Sequence, residues 1–283
     1  MMQPRLGFVV ALPNEWKYFR AAFHHLRRGS CRGLPEFRGK FGDLDCVVLL
    51  GGVGRDNAAQ AARTLVEHHT IHALVSIGYA GALSPELVRG DIVLSAYSMT
   101  GEEPTLSTWE DRLQGQLRRV ADRSHEHHVY VSPLYTADRI IARPDEKHRI
   151  YAETGAEVVD MESFSLFKVA RDEQIPFIGI HSVTDTADED IPALEVITPF
   201  LLSRSIWRYP KLFLRIASRP RLIYQLGVLN HDAEIAGRNL SHFLKANGEV
   251  LSRLFRDCIQ SYPKTRKTAW LHRHSGPAQR EHE

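Results

Sequence analysis

The sequence predicts an α/β fold: a three-layer domain with a central mixed β-sheet flanked by helices, followed by C-terminal helices. Two observations carry this. Short apolar runs, among them Leu6–Leu12, Ala73–Ile77 and Phe177–Val183, alternate with segments of helical period. Each of these runs ends in a cluster of Gly, Asp or Glu, and open α/β sheets bind ligands at such strand ends. A functional site along one edge of the sheet is therefore expected.

Composition narrows the class. At 283 residues and 43% hydrophobic, the chain has an ordinary globular make-up. A formal charge of +2 is too mild to argue for a nucleic-acid partner. Cys31, Cys46 and Cys258 are widely separated and form no metal-ligand or disulfide spacing, so no metal is expected and a reducing compartment fits. The N-terminal apolar stretch is interrupted too early for a signal peptide, and no uncharged run reaches the ~20 residues that span a bilayer. The expected location is the cytoplasm.

In chain order, the strand Leu6–Leu12 turns at Pro13-Asn14 into a helix expected over Glu15–Leu26. Phe37–Phe41 and Asp45–Leu50 read as a hairpin around Gly42-Asp43. Gly51-Gly52-Val53-Gly54 then leads into an Ala-rich helix, Asn57–His69. Ala73–Ile77 is a buried strand ending in a small-residue turn, Gly78-Tyr79-Ala80-Gly81, and within Val88–Ser95 Gly90-Asp91 stands ahead of a further strand. A surface helix is expected over Leu106–Ala121, a short strand at Tyr130–Leu134 and a helix from Pro144 to Thr154. Val158-Val159 ends a strand, and Asp160-Met161-Glu162 stands where strand gives way to helix. Phe177–Val183 runs into Thr184-Asp185. A long amphipathic helix is expected over Ala233–Cys258.

One stretch stands apart. From Val196 to His231 there is no acidic residue, while Arg204, Arg208, Lys211, Arg215, Arg219 and Arg221 are interleaved with Trp207, Phe213 and many Leu and Ile. It reads either as an interfacial segment on anionic lipid or as a helical hairpin packed on the domain. The domain is taken as residues 1–258, with 196–231 as a basic apolar helical insertion and 259–283 as a disordered tail.

The strand ends carry the chemistry. Glu15, Glu162 and Asp185 are carboxylates at separate strand termini, beside glycine turns and a Met. A carboxylate accepts two hydrogen bonds from a sugar diol, and Met packs on a flat base. Helix capping is the alternative for each acid.

These motifs resemble a known family. Ala11–Glu15, Gly52-Val53-Gly54, Gly78–Leu83, Gly90–Val93, Val159–Glu162 and Ser182–Asp188 occur in the order of the nucleoside phosphorylase/nucleosidase superfamily. They look most like the methylthioadenosine/S-adenosylhomocysteine nucleosidase branch, over about residues 5–195. Within it, the Asp160–Ser163 element and the basic segment resemble the hopanoid-associated group that cleaves adenosylhopane.

The resemblance implies cleavage of a purine ribonucleoside, a 5′-substituted adenosine, by a homodimer that needs no organic cofactor. Glu162 would hold the ribose hydroxyls and the developing sugar cation. Asp185 would be the general acid at purine N7, kept protonated by partial desolvation, and Glu15 would activate water. Met161, Tyr79, Ala80, Gly81 and Thr184 would shape the ribose and base pockets, with Ile140 and Ile141 beside the base. Inorganic phosphate is the alternative nucleophile, with Gly54 and Arg55 as its binding candidates. Four departures stand out: Tyr79 replaces a usual Ser, Ala82 a usual Gly, His181 a common Arg, and Thr184 a commoner Ser. Two further readings stay open, a nucleoside sensor without catalysis and a membrane-surface protein working through residues 196–231.

Overall fold

The computed structural model describes residues 4–101, 106–124, 127–194 and 220–263. In chain order its elements are β1 (Arg5–Val10), α1 (Pro13–Phe19), a 3₁₀ turn (Arg20–Ala22), β2 (Phe23–Cys31), β3 (Leu34–Phe41), β4 (Leu44–Leu50), α2 (Arg55–His68) and β5 (Ala73–Ala82). There follow β6 (Ile92–Ser95), β7 (Ser98–Met99), α3 (Thr108–Ala121), β8 (Val129–Val131), β9 (Leu134–Thr136) and α4 (Pro144–Thr154). The chain continues through β10 (Val158–Asp160), α5 (Ser163–Glu173), β11 (Phe177–Asp185) and α6 (Pro220–Ser261).

A mixed central sheet flanked by helices results, as the sequence predicts. One path through it runs β2-β3-β4-β1-β5-β10-β9-β7, while β11 joins β5 to β6 and β6 to β8. The ten-residue β5 is the hub. Its first half pairs with β1, nearly its whole length runs parallel to β11, and its last residues meet β10 antiparallel. The strand therefore continues through Gly78–Gly81, where the sequence suggests a turn. Pairing with β11 as far as Gly81 and with β10 at Gly81 and Ala82 carries the strand on, and small residues let the neighbours come close.

A second difference lies after α1. Residues 23–31 form an edge strand and not the end of a helix. Phe23 is anchored against Phe8, Trp16 and Phe41 with ring centroids 5.1, 5.1 and 5.3 Å apart. Beyond it β2 is mostly exposed, so it offers no apolar stripe for a helix to bury. It pairs instead with β3, around a bulge between His24 and Arg27. Tyr130–Leu134 divides into β8 and β9 around Ser132-Pro133, whereas the strand expected after Gly90-Asp91 is β6, Ile92–Ser95.

α2 and α5 pack together, whereas α6 packs with α1 and on β5, β6 and β11. α6 begins at Pro220, so residues 220–231 of the basic stretch belong to this long helix; residues 195–219 lie outside the described part. The helix runs to Ser261, past the expected Cys258, and residues 264–283 of the expected tail are likewise outside.

α6 approaches β5 closely at Gly237. A Cβ there would lie 2.5 Å from Tyr79 Oη and 2.7 Å from the Tyr18 ring. Gly237→Ala is therefore expected to destabilise the fold by about 1–3 kcal/mol, because two half-buried tyrosine side chains must shift. An unchanged thermal midpoint would show that α6 moves freely over β5.

Candidate active site

Three strand ends converge on one cavity of about 220 Å³. Glu15 reaches it from the first turn of α1. The Leu12 N–H donates to its Oε2 at 2.8 Å, so this carboxylate does cap its own helix. Burial pushes its pKa up to about 7, against the lowering effect of backbone hydrogen bonds from Leu12, Tyr79 and Ala11. A carboxyl titrating near neutrality is suited to proton transfer.

The two acids at the end of β10, Asp160 and Glu162, divide the labour. Asp160 is structural: Ser163 N–H donates to its Oδ2 at 2.8 Å and Thr136 Oγ1 to its Oδ1 at 2.6 Å, fixing the start of α5. Glu162 does not cap that helix. The Gly54 N–H donates to its Oε1 at 2.6 Å and the Met161 N–H to its Oε2 at 3.2 Å. Burial first, then the neighbouring Asp160, pushes Glu162 up to about 8. Glycine 54 thus ties the α2 turn to β10, with a positive φ of 96° that suits Gly.

Asp185 closes the third side, at the end of β11. Gly81 makes room for it, since a Cβ at position 81 would lie 2.9 Å from Asp185 Oδ2. Thr184 Oγ1 donates to its Oδ1 at 2.7 Å. Lys147 Nζ donates to its Oδ2 at 2.7 Å, and Lys147 is fully buried. Asp185 is accordingly not a lone desolvated acid. Its environment is an ion pair, which sequence reasoning missed. The available signal was faint: Lys147 shares a helical face with buried Ile150.

The remaining expected residues fall as follows. Tyr79, Ala80, Gly81, Ile140, Ile141, Met161 and Thr184 all line the cavity. Leu12, Val53, Leu194, Leu229 and Ala233 line it too and were not singled out beforehand. Gly54 and Arg55 line a neighbouring cavity of about 690 Å³, together with Arg63 and Lys168. Arg55 stacks there on the Phe164 ring, 5.6 Å from its centroid. His181, in the position where the resemblance leads one to expect Arg, is buried with Nε2 3.7 Å from Asp160 Oδ2, and burial lowers its pKa. It is neutral and lies against Asp160. Elsewhere, donor atoms of Cys31, Glu36 and His69 come within 4.8 Å of one another. Glu36 is already engaged there by Arg38 and His69, at 2.5 and 2.8 Å.

The raised carboxyls have a stability consequence. Glu15 and Glu162 bind protons more tightly folded than unfolded, so their contribution is fully present below pH 4.5 and is lost as pH rises through about 7–8. The thermal midpoint of the unliganded chain is expected to fall across this window, by on the order of 3 kcal/mol of stability from Glu15 alone. Glu15→Gln should flatten the fall; melts at pH 5 to 9 that show no slope would refute it.

A family model described as the Phosphorylase superfamily matches residues 5–201. A 5′-methylthioadenosine/S-adenosylhomocysteine nucleosidase of Tolumonas auensis is 22% identical over 205 residues, covering 67% of this chain and 89% of that protein. The crystal structure of S-adenosylhomocysteine nucleosidase from Streptococcus pyogenes, in complex with 5-methylthiotubericidin, matches with a TM-score of 0.62 at 18% identity, covering 87% of this chain and 98% of that one. Futalosine hydrolase of Helicobacter pylori matches with a TM-score of 0.61 at 14% identity, covering 87% and 99%.

Proposed function

The chain belongs to the Phosphorylase superfamily, and from that membership we propose that it cleaves the N-glycosidic bond of a purine ribonucleoside, a 5′-substituted adenosine, releasing adenine. One observation carries the reading: Glu15, Glu162 and Asp185, from three different strand ends, surround a single cavity. As the bond breaks, positive charge develops on the sugar and negative charge on the base. Glu162, once ionised, accepts hydrogen bonds from the ribose hydroxyls and faces the sugar cation, where fixed charge in a dry site acts strongly. Asp185 serves N7 of the departing base. Glu15 takes a proton from the attacking water, and its pKa of about 7 matches that task. Met161 and Ile141, both buried, offer apolar surface to the nucleoside.

The nucleophile in this reading is water. Arg55 belongs to the neighbouring cavity, and the Gly54 N–H is engaged by Glu162, so neither is free to hold phosphate beside Glu15. Phosphorolysis of a lipid-linked nucleoside such as adenosylhopane is the second reading. The apolar Leu194, Leu229 and Ala233 at the cavity favour it, as do Tyr224 and Val228, exposed on the same helix α6. A sensor without catalysis is disfavoured by the three intact acids.

The test is adenine release from methylthioadenosine and from a long-chain 5′-alkyl adenosine, each with and without phosphate. Release without phosphate supports hydrolysis; release only with phosphate and mainly from the alkyl substrate supports the second reading. No release in any arm overturns both. Homodimeric assembly and peripheral membrane contact through residues 196–231 extend this proposal. No helix among the described residues is long and apolar enough to cross a membrane. Vesicle flotation with Arg204, Arg208 and Arg215 changed to Glu tests the contact, and unchanged flotation sinks it.

A further inference from the structure

We infer that Lys147 is the positioning and proton-holding partner of Asp185, so that the proton taken up by the leaving base belongs to a Lys147–Asp185 pair and not to the carboxyl alone. This rests on the reading of the cavity as a nucleoside-cleaving site.

The geometry is specific. Lys147 lies one turn inside α4 with 0% exposure, and its three ammonium protons have three acceptors: Asp185 Oδ2 at 2.7 Å, Thr186 O at 2.7 Å and Glu189 O at 3.3 Å. An ammonium fully removed from water is costly unless it is paired and hydrogen-bonded, and here it is both. The carboxylate is fixed from two sides, by Lys147 on Oδ2 and Thr184 Oγ1 on Oδ1. No freedom is left for Asp185 to rotate away from the cavity it lines. His181, which stands where the resemblance has an Arg, is neutral and faces Asp160. The charge arrives from a different element, α4.

Other charged groups near the pair are Asp232 on α6, Glu189 and Arg89. Arg89 bridges the other two, at 2.5 Å to Glu189 and 3.2 Å to Asp232. Arg89 is thereby engaged by two acids, and Lys147 is the cation in contact with Asp185. Glu15 and Glu162 stand across the cavity.

The bond between C1′ and N9 breaks and its electron pair goes to the purine. From the ion pair, an ammonium proton of Lys147 passes to the Asp185 carboxylate and on to N7, leaving the neutral Lys147 amine beside the Asp185 carboxylate. Water adds its oxygen to C1′ and passes a proton to Glu15. One proton has left the pair and one has reached Glu15, and both groups reset through solvent after product release.

The test uses two leaving groups. Adenine needs a proton to depart, whereas p-nitrophenolate leaves as a stabilised anion. With the full-length chain, kcat would be measured against pH for methylthioadenosine and for p-nitrophenyl 5-deoxy-5-methylthio-β-D-ribofuranoside, in wild type, Lys147→Met and Lys147→Gln. The Gln variant retains a hydrogen-bond donor and covers the case in which Met prevents folding. The expected result is a loss of at least about 100-fold on methylthioadenosine with less than about 5-fold on the nitrophenyl glycoside. The alkaline limb of kcat should also move to lower pH, because the ammonium proton is no longer there to be delivered. Equal losses on both substrates, or an unmoved alkaline limb, would make Lys147 a structural residue and overturn the inference. If wild type cleaves methylthioadenosine but not the glycoside, the limb alone decides. A wild-type chain inert on both overturns the reading of the site, and this inference with it.

Discussion

Glu162→Gln is expected to lower kcat/KM for methylthioadenosine about 10³-fold while raising thermal stability above pH 8. The activity loss follows from charge: the amide keeps the shape and one acceptor oxygen, but it cannot balance a sugar cation. Removing one well-placed electrostatic group from a dry site typically costs 10²–10³-fold, and here the group opposes a full developing charge. The stability gain follows from the opposite side of the same fact. In the empty site Glu162 is pushed up to about 8 by burial and by Asp160, so ionising it costs folding free energy at alkaline pH. The neutral amide escapes that cost, and the Gly54 N–H retains an acceptor. At pH 5, where Glu162 is protonated in the folded chain, the gain should vanish. Kinetics and melts at pH 5 and 8.5 check both signs. Full activity would remove Glu162 from the mechanism; a stability loss at pH 8.5 would mean that its hydrogen bonds outweigh its charge.

The second large effect is Asp185→Asn. Here kcat should fall about 10²–10⁴-fold with little change in KM, since the proton donor is lost while the pocket walls remain. The change also strands the Lys147 ammonium, whose remaining acceptors are the Thr186 and Glu189 carbonyls. Breaking one side of a buried pair costs about 3–5 kcal/mol, so the thermal midpoint should drop at neutral pH. Combining Asp185→Asn with Lys147→Gln should recover much of that stability and none of the activity. Failure of the double variant to recover would show that the pair is not coupled.

Local signals in the sequence were sufficient for several elements. Helix α4 begins at Pro144 and ends at Thr154 as expected, and Gly155 takes the left-handed conformation of a glycine C-cap there. The Val158–Asp160 strand and the helix after Glu162 also fall where the apolar pattern placed them. So do the carboxylates at strand ends, because α/β alternation puts those ends on one edge of the sheet.

Local pattern misled where long-range pairing decided the outcome. Residues 23–31 became an edge strand because β3 needed a partner and Phe23 an aromatic niche, and β5 ran on through its glycines because β10 and β11 flank it. The division between Asp160 as cap and Glu162 as cavity acid was equally invisible in a string reading Asp-Met-Glu. The sequence by itself determined which residue types stand at which strand ends, since periodicity and capping act over a few neighbours. Only the tertiary structure decided that Lys147, 38 residues before Asp185, shares its proton environment while His181, four residues before it, does not. Side chains on one strand point by the alternation of its pleat, but which charges meet across elements depends on how helices and strands from distant parts of the chain are stacked.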